Sequence, residues 1–286
     1  MSQTTAELVP RKTHKQENFP VASFILKPQH RPAIMAFYRF ARTADDIADH
    51  AGLKPDEKLD HLERMRATLA GERDDDAPSL ALRQVMDECR LDATHGLDLL
   101  RAFRQDSTQT RYADWAALMD YCRYSAMPVG RYVLDVHGED RATWPASDAL
   151  CAALQVINHL QDCSKDYREL DRVYLGQKEL AAAGTNVEAL ADGRASPALR
   201  SVIVDLARRT QGLLDQSRGF AGQIKDGRLA YEVALIQRLA EDLTARLIAH
   251  DPLSERVHHR PIEILPLAFL AATDRIGGRK TAGGGV

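Results

Sequence analysis

An all-α fold is what this sequence predicts, on three observations. Apolar residues recur at three- and four-residue spacing in nearly every segment long enough to show a period. Alternating strand patterns with Asn-Gly or Asp-Gly hairpin turns are absent. Proline and glycine punctuate the ends of the periodic segments. With 286 residues the chain suffices for one large domain or two small ones. No internal repeat or long low-complexity linker divides it, and one domain over 18–276 is expected.

The elements follow in order. Residues 1–17 are polar, hold Lys12, His14 and Lys15, and lack the hydrophobic core of a signal peptide, so they read as a disordered N-terminal segment. Helical periodicity covers 30–50, with Pro32 near its start, and 56–70, which follows Pro55-Asp56 and stops before Gly71. Asp74-Asp75-Asp76 lies between Gly71 and Pro78 without a helix register and reads as a solvated loop. Residues 79–105 form the next periodic run. The run 114–137 contains Pro128 and Gly130. An interior proline removes a backbone hydrogen bond and kinks a helix, so this segment reads as one kinked helix opening space beside a cavity. Pro145 and Ser147 introduce a helix over 147–169. Runs at 197–224, 228–250 and 261–276 complete the set, and 277–286 reads as a disordered tail. Trp115 and Trp144 read as core.

Bulk properties exclude several classes. A net charge of −3 offers no basic excess for phosphate neutralisation, so no nucleic-acid partner is expected. The four cysteines, Cys89, Cys122, Cys151 and Cys163, form no CxxC pair, which argues against zinc and a disulfide framework and fits a reducing cytosol. No apolar stretch approaches the roughly 20 residues of a membrane span. The longest, Ile262 to Ala272, is broken by Glu263 and Pro266. A cytoplasmic location is expected, with room for peripheral contact at the inner membrane.

Two acidic clusters carry the chemistry. In a helix, Asp45 and Asp49 fall one turn apart, with Asp46 beside them. Asn158, Asp162 and Asp166 form a longer stripe over two turns. Like charges stacked this way repel and need neutralising. Their surroundings are apolar: Tyr38, Phe40, Ala41 and Ala44 before the first, and Leu154, Val156, Ile157 and Leu160 around the second. Carboxylates embedded in apolar helix are expensive unless paired or metal-bound. Mg2+ takes one or two carboxylates and completes its sphere with water and phosphate oxygens. Two facing carboxylate helices would therefore suit a metal-bridged diphosphate. His258-His259 has no partner at a fitting spacing for a transition metal, and His159, beside Asn158, reads as a satisfied helix histidine, with tuning of the site as the alternative.

These residues also resemble a known family, the head-to-head trans-isoprenyl diphosphate synthases that include squalene, phytoene and dehydrosqualene synthases. The resemblance runs from about Asn18 to Arg260. Tyr38-x3-Arg42-x2-Asp45-Asp46-x2-Asp49 is similar to the family's first aspartate-rich motif. Asp106, Arg111-Tyr112 and Tyr121-Cys122 resemble the next block. Gln155-x2-Asn158-x3-Asp162-x3-Asp166, followed by Asp171-Arg172-Val173-Tyr174-Leu175, looks like the second motif. Glu17-Asn18-Phe19-Pro20-Val21-Ala22-Ser23, Phe103-Arg104-Gln105-Asp106 and Ala126-Met127-Pro128-Val129-Gly130 are similar to the hydroxysqualene synthases of bacterial hopanoid biosynthesis. Gln161 replaces the arginine that usually precedes the aspartate, and Pro128 departs from the usual sequence there.

The resemblance implies an isoprenoid synthase helical bundle around a central cavity, acting on presqualene diphosphate. It implies metal ligation by Asp45, Asp46, Asp49, Asn158, Asp162 and Asp166, with Mg2+ as cofactor and no NADPH. It assigns Arg42, Asn158, Gln155, Arg172, Tyr174 and Phe19 to substrate binding, and Tyr121, Tyr38, Asp45, Asp49 and Asp162 to catalysis. Arg256 and Arg260 stand open between a diphosphate contact and a solvated basic turn. The cation left after diphosphate departure would rearrange in an apolar cavity and be captured by water. A transient contact with an upstream presqualene diphosphate synthase and with the membrane surface fits this reaction. Squalene, presqualene diphosphate or phytoene synthesis is the alternative within the family, and a non-catalytic helical assembly factor is the alternative outside it.

Overall fold

In the computed structural model the described residues are 27–260, all-α as the periodicity predicts. Phe19, the segments 1–17 and 277–286 and the expected helix 261–276 lie outside the described residues. Two compact units emerge, one from residues up to 109 with 123–138, the other from 110–122 with 139 onward.

The first unit begins with α1 (Arg31–Ala48), which has a proline in its first turn, where a missing N–H costs no helical bond. Its buried residues, Ala33, Ile34, Phe37, Phe40, Ala44 and Ile47, recur at helical spacing and form one apolar face. That face packs against α2 (Pro55–Leu69), α3 (Ala77–Cys89) and α4 (Thr94–Asp106). Glu57 closes the start of α2 by accepting the Lys54 N–H at 2.8 Å. The expected helix 79–105 is in fact α3 and α4. Arg90 ends α3 in the left-handed region at φ 57°, a turn that apolar periodicity alone does not reveal. Asp76 corrects the loop reading in part. Asp74 and Asp75 are exposed and paired with Arg83 and Arg73, but Asp76 is fully buried and caps α3 by accepting the Ser79 N–H at 3.0 Å.

The expected kinked helix 114–137 is likewise two: α5 (Trp115–Ser125), running from the second unit into the first, and α6 (Met127–Val136). Pro128 sits in the first turn of α6, so it starts a helix instead of bending one. Tyr132 on α6 stacks on Phe37 with ring centroids 4.0 Å apart and donates its hydroxyl to the Ala33 carbonyl at 3.1 Å. It thereby joins a core of Phe40, Ile47, Leu62, Met65, Leu82 and Leu99.

The second unit is organised by α7 (Trp144–Gln161), α10 (Pro197–Ser217) and α12 (Gly227–Ala249), with α8 (Cys163–Leu170), α9 (Gln177–Ala182) and α11 (Phe220–Gln223) between them. Ala149, Ala152 and Ala153 let α7 approach its neighbours closely. Glu139 fixes the start of α12 by accepting the Lys225 and Asp226 N–H groups at 2.9 and 2.7 Å. The expected helix 147–169 breaks at Asp162, and 197–224 breaks at Arg218 and Gly219. Trp115 and Trp144 are half-buried instead of core, each under a guanidinium, with Arg209 and Arg141 at 5.7 and 4.8 Å from the ring centroids. An isolated parallel bridge joins Arg111 and Val173, and no strand occurs among the described residues. The cysteines are free, as expected for a chain without a disulfide framework.

At Gly176 the chain after Tyr174 passes close to the backbone of Asp114, just before α5. A methyl group there would sit 2.8 Å from the Asp114 Cα and 2.0 Å from a Glu179 carboxylate oxygen. Glu179 is itself fixed, accepting the Trp115 N–H at 3.2 Å and the Arg209 guanidinium at 2.9 Å. Gly176→Ala should therefore lower stability by about 1–3 kcal/mol through overpacking. Urea unfolding checks this, with the midpoint falling at unchanged slope.

Candidate active site

In the first unit the charged face of α1 opposes its apolar one. Tyr38, Arg42, Asp45, Asp46 and Asp49 stand at three- and four-residue spacing, all half-buried. The three carboxylates crowd the C-terminal end of the helix, where the backbone dipole already places negative charge. Asp49 is the C-cap residue, its N–H bonded to the Asp45 carbonyl at 2.9 Å. Two cations offset the charge. Lys58 from α2 donates to the Ala48 carbonyl at 2.8 Å, and Arg42 spans Asp45 at 2.8 Å and Asp46 at 2.5 Å. The compensation is incomplete. Desolvation, then the neighbouring Asp49 charge, push the Asp45 carboxyl up to about 7 against the opposing pull of Arg42; Asp46 and Asp106 add to the rise.

Asp106, buried at the end of α4, was not among the sequence-assigned site residues, although it opens the second motif block. Asp46 Oδ2 is buried without a hydrogen-bond partner. Such an oxygen beside a carboxyl resisting ionisation fits a hard cation, and the donor set is all oxygen. No three of the Asp or Glu oxygens in either acidic set lie within 4.8 Å of one another among the described residues.

In the second unit, Gln155 and Asn158 are half-buried on α7, Asp162 stands at the junction and Asp166 lies in the first turn of α8. The backbone leaves helical geometry at Asp162 (φ −100°, ψ 8°), yet it keeps its four-residue bonds. The Asp162 N–H reaches the Asn158 carbonyl at 3.0 Å, and the Asp166 N–H reaches the Asp162 carbonyl at 2.8 Å. The stripe therefore survives the break. Asp171 then turns the chain in the left-handed region at φ 51°, a conformation that Asp tolerates better than most residues. Arg111 holds this turn, donating to the Asp171 carbonyl and to its carboxylate, the latter at 2.5 Å. The turn delivers Arg172 and Tyr174 to buried positions.

Tyr174 stacks on His159, ring centroids 3.4 Å apart. Tyr121 lies 5.6 Å from Tyr174 and 6.0 Å from His159, and Tyr112 lies 5.4 Å from Tyr174 and 5.2 Å from Tyr121. These four buried rings form one cluster beside the second acidic stripe. Burial, reinforced by the Arg172 charge, pushes His159 down to about 3, so its ring is neutral. Its Nε2 is buried with no hydrogen-bond partner, which corrects the reading of His159 as a satisfied helix histidine. The signal was its place within Gln155-x2-Asn158-x3-Asp162. Gln161 is buried and donates to the Val257 carbonyl, so it ties α7 to the chain near its C-terminal end. His259 bonds to the Asp242 carboxylate at 2.8 Å, the partner that no sequence spacing supplied.

Comparison with known proteins adds independent evidence. The family model described as Squalene/phytoene synthase matches residues 12–263. A hydroxysqualene synthase of Zymomonas mobilis is 55% identical over 95% of this chain and 92% of its own length. One from Rhodopseudomonas palustris is 52% identical over 96% and 94%. Among solved structures, a squalene synthase, HpnC, from Alicyclobacillus acidocaldarius aligns with a TM-score of 0.72 and 32% identity, covering 85% of this chain and 91% of that one.

The raised Asp45 carboxyl predicts how metal-free stability depends on pH. Its proton is held more tightly in the folded than in the unfolded chain, so stability falls as pH rises from about 4 to about 7. Asp45→Asn removes that penalty. Its side chain is 36% exposed, so solvent screening limits the gain to about 1 kcal/mol. In chelator at pH 8 the variant should melt roughly 2–4 °C higher, the difference vanishing toward pH 4. Thermal melts across that range check the sign.

Proposed function

The chain belongs to the squalene/phytoene synthase family, and from that premise we propose that it is a hydroxysqualene synthase. The reaction takes presqualene diphosphate, breaks its C–O bond, rearranges the cyclopropylcarbinyl cation and captures it with water. The observation that carries this reading is the near full-length similarity to relatives bearing that name, in a chain that keeps both carboxylate stripes intact. Residues 18–276 form the proposed synthase domain.

The residues divide the work. Asp45, Asp46 and Asp49 would supply oxygen donors for Mg2+, and so would Asn158, Asp162 and Asp166. Bound there, the cation would neutralise the departing diphosphate and so lower the barrier to ionisation. Arg42 and Arg172 would donate charge-assisted hydrogen bonds to diphosphate oxygens. For Arg42 this means exchanging Asp45 and Asp46 for phosphate. Gln155 and Phe19 complete the proposed substrate contacts. Tyr38 on α1 and the Tyr121 and Tyr174 rings offer π faces toward positive charge. Buried aromatic walls also keep bulk water from an early capture of the cation.

No described helix is long and apolar enough to cross a membrane. We place the enzyme in the cytoplasm, with peripheral contact at the inner membrane, where a partner presqualene diphosphate synthase hands over an apolar substrate. The second reading is squalene synthase, favoured by the name of the solved structure. It differs by one step, hydride from NADPH in place of water.

Purified protein with Mg2+ and presqualene diphosphate should yield hydroxysqualene without NADPH, identified by mass spectrometry of the extract. Accumulation of presqualene diphosphate from farnesyl diphosphate, with no hydroxysqualene from either substrate, would sink the proposal. Asp162→Ala should slow diphosphate release by about a hundredfold or more while leaving the fold intact by circular dichroism.

A further inference from the structure

We propose that His159 Nε2 binds and aims the water that captures the rearranged cation, making His159 a determinant of product identity. The assignment rests on the proposed hydroxysqualene activity. Four observations lead to it. His159 is 8% exposed, and its Nε2 is buried with no protein partner. A buried acceptor left without a partner loses its hydration uncompensated, so in a native protein such an atom calls for a water or a ligand. Its position on α7, four residues after Gln155 and three before Asp162, places it on the helix face that carries the second acidic stripe. Its ring forms a wall with Tyr174 at 3.4 Å and Tyr121 at 6.0 Å, the aromatic surface suited to a carbocation.

Stacking accounts for the ring but not for the nitrogen. A phenyl group would stack on Tyr174 without leaving a polar atom buried. With the ring proton on Nδ1, Nε2 accepts a hydrogen bond from water, which leaves an oxygen lone pair free to attack. The new C–O bond forms between that oxygen and the cationic carbon. One water proton passes to the released diphosphate, which left with the electron pair of the broken C–O bond. No oxidant or reductant is required.

Full-length protein carrying His159→Phe or His159→Gln, supplied with Mg2+ and presqualene diphosphate, tests the assignment with two readouts: diphosphate release and the distribution of extracted products. The Phe substitution keeps the stack and removes the acceptor. It should leave diphosphate release within about threefold while the hydroxysqualene share falls at least tenfold. Elimination hydrocarbons or an unrearranged cyclopropyl alcohol should replace it. The Gln substitution retains an acceptor and should recover part of the share. A native product distribution from the His159→Phe variant would overturn the assignment. So would equal slowing of release by both substitutions at an unchanged product ratio, the mark of a merely structural residue. If the Phe variant does not fold, His159→Leu takes its place under the same criteria. An unsubstituted protein that releases diphosphate yet never makes hydroxysqualene would overturn the assignment; one that releases none would overturn the activity beneath it.

Discussion

Everything at the first acidic set depends on α1 serving two opposed faces. One face is buried through Phe37, Phe40, Ala44 and Ile47, and the hydrophobic return from such residues, about 1.5–3 kcal/mol for each large side chain, is what keeps the helix in place. The other carries three carboxylates at the end of the helix least able to tolerate them. Without the apolar face, repulsion among Asp45, Asp46 and Asp49 would fray the last turn. The core therefore holds a charge pattern that local helix energetics would reject. Arg42 and Lys58 reduce the repulsion without abolishing it.

The second set solves the same problem by different means. The backbone leaves helical geometry at Asp162, yet the four-residue bonds on either side persist. Position is then fixed from outside the stripe. Ser164 donates to the Leu190 carbonyl at 2.8 Å, and Arg111 clamps the turn at Asp171. A stripe anchored within its span and just after it can hold like charges in register without a continuous helix. The tyrosine and histidine rings packed beside it add area and rigidity, as the Phe37–Tyr132 stack does in the core beneath the first set.

How much was legible in the sequence follows from what each signal measures. Apolar periodicity reports burial, so it found every long helix and both acidic stripes. It does not report single-residue breaks. The helix ends at Arg90 and Asp162 interrupt runs whose apolar spacing continues across them. Pro128 was read as a kink because its position relative to a helix start depends on Ala126 leaving helical geometry. Asp76 looked solvated because a cap is defined by one backbone N–H three residues on, not by composition. His159 was read first as structural since nothing in a sequence says which ring nitrogen lacks a partner. The motif order, by contrast, carried the family correctly, because chemistry constrains several residues at once.

The bond from Gln161 to the Val257 carbonyl spans 96 residues. During synthesis at about 5–20 residues per second, α7 leaves the ribosome several seconds or more before its partner at 257 exists. Until then the carboxamide of Gln161, destined for burial beside the second acidic stripe, must stay hydrated. Contacts of such long separation add loop-closure entropy and form late. The segment that carries the second carboxylate set thus reaches its final packing only after residue 257 has been made.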